Sequence, residues 1–539
     1  MCSPNYSGGK RQLMGSNCDH ITEALSGLLG DIEDDRVYFR ERVQEARNFL
    51  VNFRRELLAY VERAENLGRR IDDIGYAEAT ALTERMYAIT VQMEERIGEA
   101  VGQPIAHTEW FRELIMRFRS FCALKPSLVK SVSMMSPPYL QSRDLNVFPA
   151  GLYGGVGKQS NYVRASNVWR DSVADRWLQL LEFDQMRCEL IVTSSGMAAY
   201  SLVENYLTSE VLGPGAVVFV PRFTYAETNI LQFRNKRLFT EVMEEHRSAA
   251  AIIERIRDLA PDVVMLETMQ NGLGTEILDT YGIIKAIGGL SLGKTVHIVL
   301  DETLTPGCVN PFREQIPGVE VYYIFSGYKY LQLGLDIGTA GAVVVRRALA
   351  EHMRQLSYMG GYCLYDCTAV TLPSFTRERL EKRQTRLRRN GALIAHRLAS
   401  SEQLRDLVTV FCPTAGLPSH GETGVALPLA GGLITLDLAF AGAARHALNM
   451  RPYYDYASSV IERAHMLDVP LTYCESFGFP WTTLNVLGWC WESKMPPFIR
   501  ISPGEECEAE VGRIADFLHN HLVDFAQEYL RRDSLFDGV

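Results

Sequence analysis

A lysine follows an apolar stretch and a small hydroxyl residue in Tyr322-Tyr-Ile-Phe-Ser-Gly-Tyr-Lys-Tyr330. Upstream, a second apolar stretch, residues 296–300, ends at Asp301. An amine and a carboxylate at strand ends are the two groups that pyridoxal 5'-phosphate (PLP) requires, because the lysine forms a Schiff base and the carboxylate keeps the pyridine nitrogen protonated. Lys329 and Asp301 therefore predict an enzyme that works on amino acids.

A candidate phosphate site precedes them in Ile191-Val-Thr-Ser-Ser-Gly-Met-Ala-Ala199, where an apolar run leads into small residues and a helix predicted over 198–207. Backbone N–H groups at a helix start bind anions, and Gly196 permits a close approach. The same strand-Gly-helix turn also occurs without a ligand, so the motif alone leaves both interpretations open.

Four further residues are candidates whose sequence signal is weaker. Tyr225 can stack on a cofactor ring, whereas Asn271 can either donate to a ring oxygen or cap a turn. Arg500 lies between apolar residues in a predicted strand, and it suits either a substrate carboxylate or a structural ion pair. His297 lies inside a strand and is interpreted as a structural histidine of the core rather than a base.

The elements that must position these residues alternate along the chain. Six short apolar runs are separated by helix-length segments: residues 190–192, 216–220, 263–266, 296–300, 321–325 and 342–345. This alternation predicts a mostly parallel sheet covered on both faces. The candidate residues fall at or just after strand ends, where open α/β sheets bind their ligands.

The regions on either side of these runs have a different composition. Residues 21–119 are charged, contain one proline and repeat apolar residues at helical intervals, which predicts three or four amphipathic helices. We expect a helical extension that packs on the main body or on another subunit, with a lid or partner-binding module as the alternative. Residues 127–157, rich in Ser, Pro, Met and Gly, predict a boundary.

A smaller α+β domain is predicted after this sheet. It begins with an Arg-rich helix that starts near residue 374 and runs through 377–399, and it continues with strands at 433–438 and 498–501 and a terminal helix near 508–529. The expected domains are 1–126 for the helical extension, 127–373 for the PLP-binding α/β domain and 374–539 for the small domain.

Composition limits the partners. The 539 residues are 47% hydrophobic and carry a formal net charge of −10, which argues against nucleic acid or an anionic membrane as the main partner. The first twenty residues are polar, and no run of about 18 apolar residues follows, so a cytoplasmic location is expected. The eleven cysteines are an odd number spread over a long chain, which argues against a disulfide framework. Cys363 and Cys367 are close in sequence, but no second pair has the spacing of zinc ligands, so no metal is expected.

In sequence order, these segments resemble the cystathionine γ-synthase-like, or Cys/Met-metabolism (trans-sulfuration), PLP enzymes of fold type I. The resemblance covers residue 162 to the C-terminus. It implies the aspartate aminotransferase-like α/β fold, with a three-layer α/β/α large domain and a smaller α+β C-terminal domain, to which this chain adds its α-helical N-terminal extension. It also implies PLP as the cofactor.

The phosphate-binding part of the family pattern is matched by two segments. Ser195, Gly196 and Met197 resemble the phosphate loop. Tyr162-Val-Arg164 resembles the Tyr-x-Arg pair that reaches into the neighbouring subunit's phosphate site. The resemblance therefore implies a homodimer or homotetramer in which Tyr162 and Arg164 complete the neighbouring site.

The ring-binding and catalytic part of the pattern also has counterparts. The resemblance implies that Tyr225 stacks on the ring and assists proton transfer, that Asn271 lies near the ring hydroxyl and that Asp301, in an Asp-x-Thr motif with Thr303, pairs with the pyridine nitrogen. Ser326-Gly-Tyr-Lys329, followed by Gly334-Leu-Asp336, resembles the segment around the Schiff-base lysine.

The substrate side is matched by Ser476-Phe-Gly478 and by Arg500, which resembles the arginine that binds the substrate carboxylate. Several positions depart from the pattern. Tyr328 stands where the family has threonine, and Gly272 and Val168 stand where it has proline. Glu227, inside the Tyr-x-x-Thr motif, would place an acidic side chain near the substrate entrance. The N-terminal extension is also foreign to the housekeeping enzymes. These departures suggest a divergent substrate.

The expected activity is γ-elimination or γ-replacement on an amino acid of the activated homoserine, methionine or cystathionine type. Lys329 would remove the α-proton, and the reaction would pass through a vinylglycine-type quinonoid intermediate. One alternative is a specialised biosynthetic enzyme that takes S-adenosylmethionine as the substrate with the γ-leaving group and forms a C–C bond. Another is a catalytically silent scaffold subunit that keeps the fold.

Overall fold

The structure is a computed structural model, and it describes residues 35–66, 73–99, 104–132, 168–221, 239–244, 248–274, 277–412, 429–440, 450–488 and 497–536. The chain divides into two compact units. The lysine unit, which contains Lys329, is formed by the described residues of Glu33–Tyr206 and Phe325–Phe375. The aspartate unit, which contains Asp301, is formed by those of Leu207–Ile324 and Thr376–Val539. The domain boundaries predicted after residues 126 and 373 stay predictions.

The helices in chain order are α1 (Asp35–Asn66), α2 (Asp73–Glu99), α3 (Pro104–Val132), α4 (Val168–Leu180), α5 (Gly196–Tyr206), α6 (Ala249–Leu259), α7 (Thr280–Gly288), α8 (Arg347–Met359), α9 (Asp366–Thr371), α10 (Arg377–Ala399), α11 (Arg451–Met466) and α12 (Glu508–Phe536). A π-helical turn, Leu207–Val211, follows α5. None of the described helices combines the length and the apolar character needed to cross a membrane.

The strands are β1 (Cys188–Thr193), β2 (Ala216–Val220), β3 (Phe239–Met243), β4 (Val263–Glu267), β5 (Val296–Asp301), β6 (Val319–Ser326), β7 (Gly341–Arg346), β8 (Val408–Phe411), β9 (Ile434–Leu438), β10 (Thr472–Tyr473), β11 (Thr483–Leu487) and β12 (Phe498–Ser502). Each of the eight strands predicted from the sequence is present.

In the lysine unit, α1, α2 and α3 form a bundle around aromatic side chains. Phe39 packs on Phe111 with ring centroids 5.1 Å apart, and Phe53 packs on Phe121 at 5.3 Å. These four rings are almost completely buried, as expected where apolar residues recur at helical spacing. The described part of the predicted extension therefore holds three helices, in agreement with the sequence analysis.

The same unit contains the antiparallel pair β1 and β7. Their register runs from Cys188 opposite Arg346 to Thr193 opposite Gly341. Strand β7 is an almost continuous apolar run, and its side chains Ala342 to Val345 are fully buried. The register brings the end of β1, where the candidate phosphate loop begins, beside the start of β7.

In the aspartate unit, β6, β5, β4, β2 and β3 lie side by side in that order and are all parallel. The chain passes into the lysine unit within β6, after Ile324. Ser248 caps the N-terminus of α6, where its side chain accepts a hydrogen bond from Ala251 N at 3.2 Å. Asp279 caps α7 in the same way and accepts from Gly282 N at 2.8 Å. The parallel ladder places the C-terminal ends of β4 and β5 at one edge of the sheet.

A second sheet in this unit has the order β10-β11-β12-β9-β8 and is antiparallel except for β10 and β11. Helix α10, in the same unit, carries buried arginines. One of them, Arg383, forms an ion pair with the equally buried Glu505 at 2.7 Å and donates a hydrogen bond to Gly478 O at 2.9 Å. Because a buried guanidinium needs a charged or carbonyl partner at each side, these bonds fix the segment that precedes β11.

Candidate active site

The candidate phosphate loop connects β1 to α5 in the lysine unit. The Ser195 hydroxyl caps the helix by accepting from Ala198 N at 3.0 Å, and Ser195 O accepts from Ala199 N at 3.0 Å. The first N–H groups of a helix have no acceptor within the helix, so those of Gly196 and Met197 are available to an anion. The start of α5 therefore has the geometry of an anion site.

Two glycines allow this loop to approach its neighbours closely. A Cβ at Gly196 would lie 2.9 Å from the Cβ of Ser326, which shows that Ser326 stands directly beside the first residue of α5. A Cβ at Gly341 would overlap the carbonyl group of Ser195. The structure thus brings Ser195, Gly196 and Ser326 together. Gly341 was missed by the sequence analysis, because a glycine at a strand start gives no signal of the partner that it accommodates.

We call residues 326–338 the lysine loop. It begins at Ser326, the last residue of β6. The side-chain amide of Gln332 holds the two ends of the loop's second half together, because it donates to Gly338 O at 2.6 Å and accepts from Ile337 N at 2.9 Å. Gln332 is completely buried. A Cβ at Gly327 would overlap the ring of Trp177 in α4, so the loop packs without a gap against that helix.

Lys329 is half-buried in this loop, and its Nζ lies 5.4 Å from the ring centroid of Tyr328. The hydroxyl of Tyr328 donates to the carboxylate of Asp336. A cation near an aromatic face is stabilised by the ring quadrupole. Tyr328, which departs from the family pattern, therefore forms part of the immediate surroundings of the Lys329 amine.

In the aspartate unit, Asp301 is the last residue of β5. Its carboxylate accepts from Thr303 N at 2.9 Å. Burial raises the pKa of Asp301, while hydrogen bonds from Thr303 act in the opposite direction. A positively charged group bound beside a buried carboxylate would stabilise its ionised form.

A second acid, Glu302, follows immediately and is completely buried. The hydroxyls of Thr268 and Thr305 donate to its two oxygens. Loss of hydration raises the pKa of Glu302 to about 8, and the charge of Asp301 adds to this rise. Burial thus favours the protonated form of Glu302, whose own O–H would donate to one of the two threonine hydroxyls. No role was predicted for Glu302, because one acidic residue after a strand gives no indication of its burial.

Arg500 on β12 is 3% exposed and lies beside another candidate residue. Its Nη1 donates to Asn271 Oδ1 and its Nη2 donates to Glu475 O, both at 3.0 Å, while its guanidinium carbon lies 5.2 Å from the ring centroid of Phe477. These partners are all neutral. Ser476 is half-buried in the same segment, next to Glu475. The structure therefore brings Asn271 and Arg500 into direct contact.

Four predicted site residues, Tyr162, Arg164, Tyr225 and Glu227, lie outside the described residues, and their roles stay predictions. His297 has the surroundings expected of a structural histidine: its Nδ1 lies 2.9 Å from the hydroxyl of Tyr322, and burial lowers the pKa of His297 to about 4. In the described ranges, no three His, Cys, Asp or Glu side chains are grouped as a metal site.

Comparison with known proteins adds a relative. The chain is 26% identical over 400 residues to the bifunctional enzyme flvA of Aspergillus flavus, a match that covers 73% of this chain and 46% of that protein. The chain thus spans about half the length of this curated relative. No protein-family model matches the chain.

Several solved structures also resemble this chain, over most of their own length. Cystathionine γ-synthase from Xanthomonas oryzae pv. oryzae, in complex with aminoacrylate and cysteine, aligns with a TM-score of 0.52 at 19% identity, over 70% of this chain and 90% of that one. Yeast cystathionine γ-lyase aligns with a TM-score of 0.51 at 19% identity, over 69% and 88%. The likeness is one of fold, and the fold class predicted from the sequence is confirmed.

Proposed function

We propose that this chain, which has the fold of the cystathionine γ-synthases and γ-lyases, is a PLP-dependent enzyme that performs γ-elimination or γ-replacement on an amino acid. The observation that carries the proposal is the contact between Gly196 and Ser326. It places the segment of Lys329 beside a helix start that suits a phosphate ester. An anion site next to a reactive amine is what a phosphorylated aldehyde requires.

The remaining donors and acceptors fit the same cofactor. The N–H groups of Gly196 and Met197, with the Ser326 hydroxyl, would hold the phosphate. Asp301, whose pKa is raised by burial, would hold the protonated pyridine nitrogen and would itself be stabilised by that positive charge. Lys329 would bind the aldehyde carbon. Bound in this way, PLP would act as an electron sink that stabilises negative charge on the α-carbon of the substrate.

The protein's own residues supply the other steps. Arg500, with its planar guanidinium held by Asn271 and Glu475 O, would bind the α-carboxylate of the substrate. The Lys329 amine, once displaced from the cofactor by the substrate amine, would accept the α-proton and then shuttle protons at the β-carbon. A leaving group at the γ-carbon then departs, with Tyr225 proposed to assist it. Substrates of the activated homoserine, methionine or cystathionine type carry such a group.

A second candidate substrate is S-adenosylmethionine, whose sulfonium is a good γ-leaving group and whose carbon chain would be joined to a carbon nucleophile. The long helical extension and the acidic Glu227 favour a substrate different from that of the housekeeping enzymes. The catalytically silent scaffold is less consistent with the sequence, because Lys329, Asp301 and Arg500 are all retained.

We further propose a homodimer or homotetramer in the cytoplasm, in which Tyr162 and Arg164 of one subunit complete the phosphate site of the next. Mixing Lys329→Ala subunits with Arg164→Ala subunits tests this arrangement. A mixed oligomer would regain part of the activity that both parents lack, because one of its sites keeps both residues. Mixed oligomers without any activity would contradict a shared site.

An absorption spectrum tests the function itself. The purified protein should show a band at about 420 nm that is absent from Lys329→Ala and retained in Lys285→Ala, a control at an exposed lysine paired with Glu314. Addition of cystathionine, O-acetylhomoserine, methionine or S-adenosylmethionine should change this band for the true substrate. A wild-type protein that shows no band after incubation with PLP would support the scaffold alternative instead.

A further inference from the structure

Two of the N-terminal helices bind directly to the lysine loop. Arg119 of α3 forms an ion pair with Asp336, across 217 residues of sequence. Arg42 of α1 is buried and donates from Nη2 to Leu333 O at 3.0 Å. Both arginines belong to the lysine unit, as does the loop. The extension is therefore in contact with the segment that carries Lys329.

The contacts continue to the residue next to the lysine. Asp336 accepts a hydrogen bond from Tyr328 through one carboxylate oxygen and binds Arg119 through the other. The ring of Tyr328 in turn lies 5.4 Å from Lys329 Nζ. We call Arg119, Asp336 and Tyr328 the loop clamp. Burial raises the pKa of Asp336 and Arg119 opposes this rise, so the arginine favours the ionised carboxylate that accepts both bonds.

The backbone of the loop requires such support. Leu333 and Asp336 have φ values of 50° and 49°, in the left-handed region that side chains with a Cβ disfavour. Conformations of this kind persist only where surrounding contacts fix them. The two residues with this strain are the same two that the extension holds, Leu333 through Arg42 and Asp336 through Arg119.

We propose that the N-terminal helices position the Schiff-base lysine, with Arg119 and Arg42 as positioning residues that hold the lysine loop in its strained conformation. The tyrosine at position 328, which departs from the pattern of the family that the sequence resembles, supplies the hydroxyl that the clamp needs. The unusual extension and the unusual residue are thus two parts of one arrangement. The contacts of the clamp are all made by the protein's own residues, and only the catalytic consequence rests on the proposed function.

Arg119→Gln tests the proposal, with Arg117→Gln as the matched control. Arg117 lies on the same helix, is exposed and forms a local ion pair with Glu113. In the protein without PLP, hydrogen–deuterium exchange of residues 326–338 should become about tenfold faster in Arg119→Gln and stay unchanged in Arg117→Gln. The dissociation constant for PLP should rise by a similar factor in Arg119→Gln alone. Equal exchange rates in the two variants would overturn the proposal.

Tyr328→Phe removes one hydroxyl and leaves the helices intact, so it tests the clamp even where Arg119→Gln folds poorly. It should also speed exchange in the lysine loop. If the clamp acts as a unit, Arg119→Gln combined with Tyr328→Phe should do little more than either change alone, because each breaks the same chain of bonds. Fully additive effects on loop exchange and PLP affinity would contradict it. A wild-type protein that fails to bind PLP would refute the proposed function but not the exchange result.

Discussion

Asp301 and Glu302 are consecutive carboxyl residues with opposite surroundings at the end of β5. Asp301 is half-buried and accepts a backbone N–H from Thr303 at 2.9 Å. Glu302 is fully buried and is enclosed by the hydroxyls of Thr268 and Thr305. Asp301 is thus partly accessible at the end of β5, whereas Glu302 is enclosed in surroundings that favour its neutral form.

Glu302→Gln should stabilise the protein increasingly as the pH rises from about 5 to 8. The pKa of Glu302 is about 8 in the folded protein and 4.5 for an unperturbed carboxyl. Folding therefore takes up a proton between these values, and the wild type loses about 1.4 kcal/mol per pH unit in this range. Glutamine has no proton to release, and its amide can bond both hydroxyls, with its oxygen accepting from one and its NH2 donating to the other.

Unfolding temperatures of the wild type, Glu302→Gln and the exposed control Glu402→Gln, measured at pH 5, 6.5 and 8, check this prediction. The difference between Glu302→Gln and the wild type should widen with pH, whereas that of the control should not. A difference that stays constant across the three pH values would show that Glu302 is ionised in the folded protein.

Asp301→Asn should lower kcat by about a hundredfold or more, because an amide cannot keep the pyridine nitrogen protonated and the electrostatic stabilisation of the transition state is lost. PLP should still bind through Lys329 and the phosphate loop. Turnover and bound PLP, measured together, separate the two effects. Asp455→Asn, at an exposed residue paired with Arg451, is the control. Loss of PLP binding in Asp301→Asn would assign Asp301 to cofactor retention instead.

The sequence predicted the strands that are continuous apolar runs, because strands buried on both faces need apolar side chains at successive positions. Lys329, Asp301 and Ser326 were located because they follow such runs. Strand β3 was missed, since its core, Thr-Glu-Val, is short and mixed in polarity. Strand β11 was missed for a related reason: Thr483 and Asn485 interrupt its apolar side chains although both are buried.

The residues that surround the lysine loop were harder to predict. Arg119 is one of several arginines on an amphipathic helix, and nothing local distinguishes it from Arg117, which points to solvent. Its role depends on a partner 217 residues away. Tertiary contacts of this kind leave no periodic pattern, so one sequence shows the chemistry at strand ends and not the side chains that hold it in place.

Arg500→Lys should raise the KM for an amino acid substrate by about tenfold to a hundredfold, because an ammonium cannot make the two parallel hydrogen bonds that a guanidinium makes with a carboxylate. The dissociation constant for PLP should not change. A substrate analogue in which the α-carboxylate is replaced by hydrogen should bind equally to both proteins. Arg451→Lys, at an exposed arginine, serves as the control. If the ratio of the affinities for substrate and analogue is the same in the variant as in the wild type, Arg500 does not bind the carboxylate and is a structural residue.

Gly327→Ala should displace the lysine loop, because the added methyl group would overlap the ring of Trp177, which is 3% exposed and has little room to move. Overpacking of this kind costs about 1–3 kcal/mol, and the loop can relieve it by moving away from α4. We expect weaker PLP binding and a lower unfolding temperature. Gly213→Ala is the matched control, since a Cβ there would meet no atom within 4 Å.

Trp177→Leu in the Gly327→Ala background distinguishes displacement of the loop from a simple loss of backbone freedom. The smaller side chain makes room for the methyl group, so the double variant should recover much of the PLP affinity that Gly327→Ala loses. If Trp177→Leu gives no recovery, the glycine is required for its backbone rather than for its contact with Trp177. Recovery would establish that the packing of α4 sets the position of the loop that carries Lys329, in addition to the contacts made by α1 and α3.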